Sequence, residues 1–103
     1  MKITDIIWKE QFVEKLEIKH DVTIDEAEEA LYSNPLVCKV AKGRVRGENI
    51  YSAQAQIANG RYLIVFFIRK KHDIALPVSA RDMTLTERKY YAKHKQKNRP
   101  TAG

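Results

Sequence analysis

At 103 residues and 11.9 kDa the chain has room for one domain, and chains of this size bury enough apolar surface to fold without metals or disulfides. Residues of the apolar class make up 44% of the chain and charged residues 31%, which excludes a disordered or collagen-like protein. The net charge of +6 divides into −5 over residues 1–31 and +11 over residues 32–103, and that asymmetry points to a polyanionic partner.

The longest apolar run, Leu63 to Ile68, is too short to span a bilayer. Met1-Lys2-Ile3-Thr4-Asp5 has no long apolar stretch and no small-residue cleavage site, and a single cysteine, Cys38, cannot form a disulfide within the chain. Both features lead us to expect a cytoplasmic protein without a membrane anchor.

In chain order, Ile6-Ile7-Trp8 leads into residues 9–20, where Trp8, Phe12, Val13 and Leu16 recur at helical steps between Glu and Lys. Thr23-Ile24-Asp25-Glu26 has the form of a capping box and opens a second helix with Ile24, Ala27 and Leu31 on one face. Asn34-Pro35 ends it, because the residue before proline is driven out of the helical region. Leu36–Ala41 reads as a short strand, followed by a connection over residues 42–48 with two glycines.

Asn59-Gly60 between Tyr51–Ala58 and Arg61–Arg69 is a two-residue hairpin signal. A tight turn there sets Ile57 against Tyr62, Ala55 against Ile64, Ala53 against Phe66 and Tyr51 against Ile68 as one apolar face. Gln56, Gln54 and Ser52 then join Leu63, Val65 and Phe67 on a mixed face that is partly solvated or reserved for a partner. Lys70-Lys71-His72-Asp73 turns into a fourth strand, Ile74–Ala80, which Pro77 must bulge or leave with an exposed edge. Thr84-Leu85-Thr86-Glu87 is a second capping box, opening a helix with Leu85, Tyr90 and Tyr91. The expected fold is α+β: two N-terminal helices, a four-stranded antiparallel meander and a C-terminal helix, with the helices on one side of the sheet. The expected domain covers residues 1–92, and residues 93–103 read as a basic, disordered tail.

The three histidines and one cysteine lie far apart, so no zinc spacing is present and no metal or other cofactor is expected. P-loop, GxGxxG and GxSxG patterns are also missing. What remains is an inventory of arginines, lysines, histidines and tyrosines around a sheet. Such a set can cleave RNA without a metal, because the 2′-hydroxyl is an internal nucleophile that needs only positioning, proton transfer and charge stabilisation.

Lys19-His20-Asp21-Val22 with Asp25-Glu26-Ala27, then Gly60-Arg61-Tyr62-Leu63-Ile64-Val65-Phe66-Phe67, and above all Val78-Ser79-Ala80-Arg81 with Thr84, Glu87, Arg88 and Tyr90-Tyr91, carry a resemblance. From about Ile6 to Tyr91 the chain resembles the BrnT family of toxins, of the RelE/ParE-like fold group of type II toxin–antitoxin pairs. The resemblance implies a RelE-like fold, RNA cleavage, neutralisation by a cognate antitoxin of the BrnA type, and contact with operator DNA only through the antitoxin complex. The chain departs from relatives at Lys9, where they carry Asp, at Asp21, where they carry Gly, and at Gly47-Glu48-Asn49-Ile50-Tyr51, which lacks their arginine. The last departure keeps open a non-catalytic RNA- or DNA-binding or antitoxin-docking module of the same fold.

Under the toxin reading Arg81 and Arg61 bind and stabilise the scissile phosphate, His20 moves protons, and Tyr90 or Tyr91 positions the RNA. Each has a structural alternative. Arg81 can instead form a salt bridge, to Glu26 or Glu87; Arg61 can be an ordinary surface arginine, and His20 a helix-capping histidine. Of the two tyrosines, adjacent in a helix, one belongs to the core. Lys19, Arg44, Arg46, Lys70 and Lys71 are candidates for salt-dependent, sequence-blind phosphate contacts. Glu48 is a candidate base, or simply a solvated loop carboxylate.

Overall fold

In a computed structural model, residues 2–14, 21–41 and 49–97 are described. The elements are β1 (Asp5–Ile6), α1 (residues 10–14 of the described part), α2 (Ile24–Tyr32), β2 (Leu36–Ala41), β3 (Ile50–Gln56), β4 (Tyr62–Lys70), a 3₁₀ turn (Lys71–Asp73), β5 (Ile74–Asp82) and α3 (Leu85–Lys97). The class is α+β, as expected, but the sheet has five strands in the order β1-β5-β4-β3-β2. The additional strand, β1, runs parallel to β5, pairing Asp5 with Ile74 and Ile6 with Ala75, so the sheet is mixed. The amide of Ile7 donates to the Ala75 carbonyl and that of Thr4 to the Asp73 carbonyl, extending the attachment on both sides.

The four longer strands form the expected meander, with one correction to its register. Ile57 N–H donates to Arg61 O, and Gly60 N–H to Ile57 O, closing a three-residue loop of Ala58, Asn59 and Gly60. Only Gly60 adopts positive φ (+92°), as in a type I turn followed by a glycine bulge, so the loop is one residue longer than the two-residue form. Tyr51 therefore faces Phe67, Ala53 faces Val65 and Ala55 faces Leu63. The shift moves every side chain of one strand to the other face relative to its partner. Leu63, Val65 and Phe67 thus join Ala53 and Ala55 in the main core, rather than Gln54 and Gln56.

That core packs against α2 through Ala27, Ala30 and Leu31, and against Ile3 and Val22, all buried. Trp8 packs on its margin, where its indole N–H donates to Glu28 Oε1 at 2.8 Å. Around Phe67 the sheet is lined with alanines, and the ring stacks on Tyr51 with centroids 5.8 Å apart. Pro77 sits at a β-bulge, where Phe66 pairs with Ser79 but Phe67 pairs with Pro77, leaving Val78 as the extra residue.

Both capping boxes form. Thr23 and Glu26 exchange side-chain-to-backbone hydrogen bonds at the start of α2, and Thr84 and Glu87 do the same at the start of α3. The helix α2 ends at Tyr32, after which Asn34 takes a left-handed conformation (φ 58°) ahead of Pro35.

Contrary to the one-sided arrangement expected, α2 and α3 lie on opposite faces of the sheet. Residues alternate between faces along a strand. The contacts of α2 are with the odd-numbered side of β3 and β4, while α3 reaches Tyr62, Arg81 and Cys38 on the other side. The helix also continues to Lys97 rather than ending at residue 92. Ala, Lys and Gln favour helix, and the extra turns are secured by Tyr90 stacking on His94 and by Lys95 donating to the Asn34 carbonyl. Residues 98–103 of the expected tail lie outside the described part. No helix among the described residues is long and apolar enough to cross a membrane.

Candidate nucleic-acid interface

The sheet face under α3 carries a regular grid set by strand register. One cross-strand row is Leu36, Gln54, Ile64 and Arg81; the next is Cys38, Ser52, Phe66 and Ser79. The helix crosses this grid from β5 to β2. Glu87 meets Arg81 over β5, Tyr91 meets Tyr62 edge-on and accepts from the Gln56 amide at 3.4 Å, and Tyr90 Oη lies 3.9 Å from Cys38 Sγ. The Arg88 guanidinium stacks on Tyr62, 4.2 Å from the ring centroid.

Arg81 is half-buried at the end of β5. Its guanidinium grips Glu87 with two parallel hydrogen bonds of 2.7 and 3.0 Å, donates to the Asp82 carbonyl at 3.1 Å and lies 5.4 Å above the Phe66 ring. Of the two carboxylates named as possible partners, Glu87 takes this one. The hydrogen bonds from Arg81, joined by those of the Thr84 cap, hold the Glu87 carboxyl down at about 2 against an ordinary 4.5.

A group depressed in this way stabilises the fold above its unfolded pKa and loses that contribution as pH falls toward its folded one. Thermal melts of wild type and Glu87→Gln should therefore differ at neutral pH and converge between pH 4.5 and about 2. A gap that stays constant down to pH 2 would refute the ion pair's contribution.

Arg61 is engaged more completely. Its Nε donates to Asp82 Oδ1 at 2.6 Å and Nη2 to Asp82 Oδ2 at 3.1 Å, while Nη1 serves the Asp21 carbonyl at 2.7 Å and both oxygens of Glu26 at 3.2 Å. The Asp82 carboxyl is held below its ordinary pKa by the Arg61 hydrogen bonds; that of Glu26 is lowered first by the Thr23 amide and then by Arg61. Arg61 thus ties the segment before α2 to the start of β4 and the end of β5.

A second concentration of positive charge lies where β4 turns into β5. Arg69, Lys70, Lys71 and His72, with Asn49 and Tyr51, border an open polar cleft of about 320 Å³. The turn places His72 (φ 64°) and Asp73 (φ 59°) in left-handed conformations, and Asp73 engages Arg69 at 2.6 Å. Lys70 and Lys71 thus share a cleft at the end of β4 remote from Arg81. Lys19, His20, Arg44, Arg46 and Glu48 lie outside the described residues.

The structure brings Arg81, Tyr90 and Tyr91 together along α3 and separates them from Lys70 and Lys71. Of the tyrosines, Tyr91 is the half-buried member and Tyr90 is 44% exposed, stacked on His94. Hydrogen bonding and charge interaction with Cys38 raise the Tyr90 phenol above its ordinary pKa. Residues not singled out from sequence are Gln54 and Phe66, which share the α3 face with Arg81; correct register would have placed them there. Among the described residues no cluster of three or more His, Cys, Asp or Glu has metal-binding geometry. No family model and no curated protein matches the chain.

Proposed function

We propose that the protein acts on RNA as a metal-independent endoribonuclease of the toxin class, in a module with a cognate antitoxin. The observation that carries this reading is the Arg81 guanidinium, half-exposed at the mouth of the sheet and already holding a carboxylate in a bidentate grip. The same planar fork accepts two oxygens of a phosphate. A phosphate diester that replaces Glu87 on Arg81 gains a fixed cation beside the charge that develops on its oxygens. In the reaction the 2′-oxygen attacks the adjacent phosphorus as its proton leaves to a base, and the 5′-oxygen departs as it takes up a proton. The products are a 2′,3′-cyclic phosphate and a 5′-hydroxyl. His20 is the proposed proton carrier, and the net +11 of residues 32–103 draws in the strand.

A second reading, a non-catalytic binding module of the same fold, is favoured by the engagement of Arg61 and Arg81 with protein carboxylates. One experiment separates the two. Purified protein is incubated with single-stranded RNA in EDTA, and new 5′-hydroxyl ends and filter retention are both measured across a salt series. The cleavage reading expects new ends with wild type and none with Arg81→Ala or His20→Ala, at melting temperatures that certify folding. RNA left intact at protein excess but retained at low salt supports the binding module instead. Neither cleavage nor retention sinks both.

A further inference from the structure

We infer that Gln54 reads the base of the nucleotide whose phosphate Arg81 holds, making it a specificity-determining residue of the same site; this rests on the RNA reading above. Gln54 and Arg81 belong to one cross-strand row, separated only by Ile64. Two strand spacings put their backbones about 10 Å apart, a separation a single nucleotide can bridge between phosphate and base edge. Ile64, 3% exposed on the face that α3 covers, gives the interval an apolar floor that a base reaches when the helix shifts. Phe66 and Ser79 beside it are only half-buried, so this flank of the floor reaches solvent.

The observation that singles out Gln54 is an unmet hydrogen bond. The residue is 5% exposed, yet its side-chain carbonyl oxygen has no partner among the described residues. A buried acceptor in this condition costs stability, and a neighbouring apolar residue of similar shape would avoid that cost. An amide poised to receive an N–H donor from a ligand accounts for its presence. Exocyclic amino groups of adenine, cytosine and guanine are donors of this kind, whereas uracil has only its ring N–H.

The cover over Gln54 is suited to admit such a ligand. No α3 residue whose side chain is described is buried. The helix is attached by polar and ring contacts at its surface: the Glu87 ion pair, the Arg88 and Tyr91 contacts with Tyr62, the Gln56 amide donating to Tyr91, the Tyr90 contact with Cys38, and Lys95 donating to the Asn34 carbonyl. A helix held in this way shifts without opening the main core, which lies on the opposite face with α2.

The test uses the full chain and four single-stranded oligoribonucleotides, each of one base type, in wild type and Gln54→Met. Wild type is expected to discriminate among the four in cleavage or retention, and the variant to lose about tenfold of that discrimination. The variant's melting temperature should equal or exceed that of wild type, because the unpaired acceptor is gone. The side-chain amide resonances of Gln54 in wild type, titrated with the preferred oligonucleotide, give a readout independent of any variant's folding and should shift. Undiminished discrimination in the variant, absence of discrimination in wild type, or unmoved amide resonances under saturating oligonucleotide would each overturn the assignment. Wild type that neither binds nor cuts any of the four removes the RNA reading itself.

Discussion

Replacing Phe67, the largest fully buried side chain among the described residues, with alanine should destabilise the protein by about 4 kcal/mol. The ring is fully buried at the centre of β4, stacked on Tyr51 and flanked by Ala53, Ala75 and Ala80. The alanines are short and fixed to strands, so they cannot swing into the space left behind, and the cavity persists. A domain of this size has a total stability of about 5–15 kcal/mol, so the variant retains a thin margin or none. Urea denaturation should show a sharply lowered midpoint with an unchanged slope. Phe67→Leu keeps most of the volume and should recover more than half of the loss. A Phe67→Ala midpoint close to wild type would mean that the sheet closes around the gap.

Arg61→Ala should cost about 2 kcal/mol, for a different reason. Removing the guanidinium leaves Glu26 and Asp82 facing one another without their shared cation and frees the Asp21 carbonyl. The Asp82 side chain is 60% exposed, so water screens much of the penalty on that side. The Glu26 side chain, 19% exposed, is screened less. Arg61→Lys restores one charge without the fork that serves two carboxylates, and should recover only part of the loss. A double-mutant cycle of Arg61→Ala with Asp82→Asn measures the coupling directly. Because the donors of Arg61 serve Asp82, Glu26 and the Asp21 carbonyl, the proposed cleavage reading expects any RNA cleavage per folded molecule to survive Arg61→Ala far better than Arg81→Ala. Equal loss in both would restore Arg61 to the phosphate.

The features legible in the sequence were those written in local chemistry. Thr23 with Glu26 and Thr84 with Glu87 announced two helix starts, since a capping box is complete within four residues. The apolar run Leu36–Ala41 marks β2 with its observed ends, and Pro77 marks the bulge of β5. Strand β1 was invisible because two residues have no period; Asp5–Ile6 becomes a strand only when β5 offers it an edge. The hairpin shows how one turn residue propagates. Asn59-Gly60 fits a two-residue loop and also the end of a three-residue loop with its glycine left-handed, and the difference exchanges the faces of Phe66 and Phe67.

The candidate site is legible in its charges but not in its geometry. Arg81 and Tyr91 were visible as residue types near the end of the chain, and Glu87 was one of two foreseen carboxylate partners for Arg81. Gln54 was hidden because its row depends on register across four strands, a long-range property that no local motif encodes.

The parallel pairing of β1 with β5 also fixes an order of assembly. Asp5 and Ile6 are made about 70 residues ahead of their partners, Ile74 and Ala75. The sheet therefore cannot close on β1 until the first residues of β5 have left the ribosome, and the part of that strand with Arg81 is completed only after that. A growing chain thus holds β1 unpaired while the hairpin of β3 and β4 forms behind it, and the arginine at the end of β5 reaches its place in the sheet only when the rest of the meander exists to receive it.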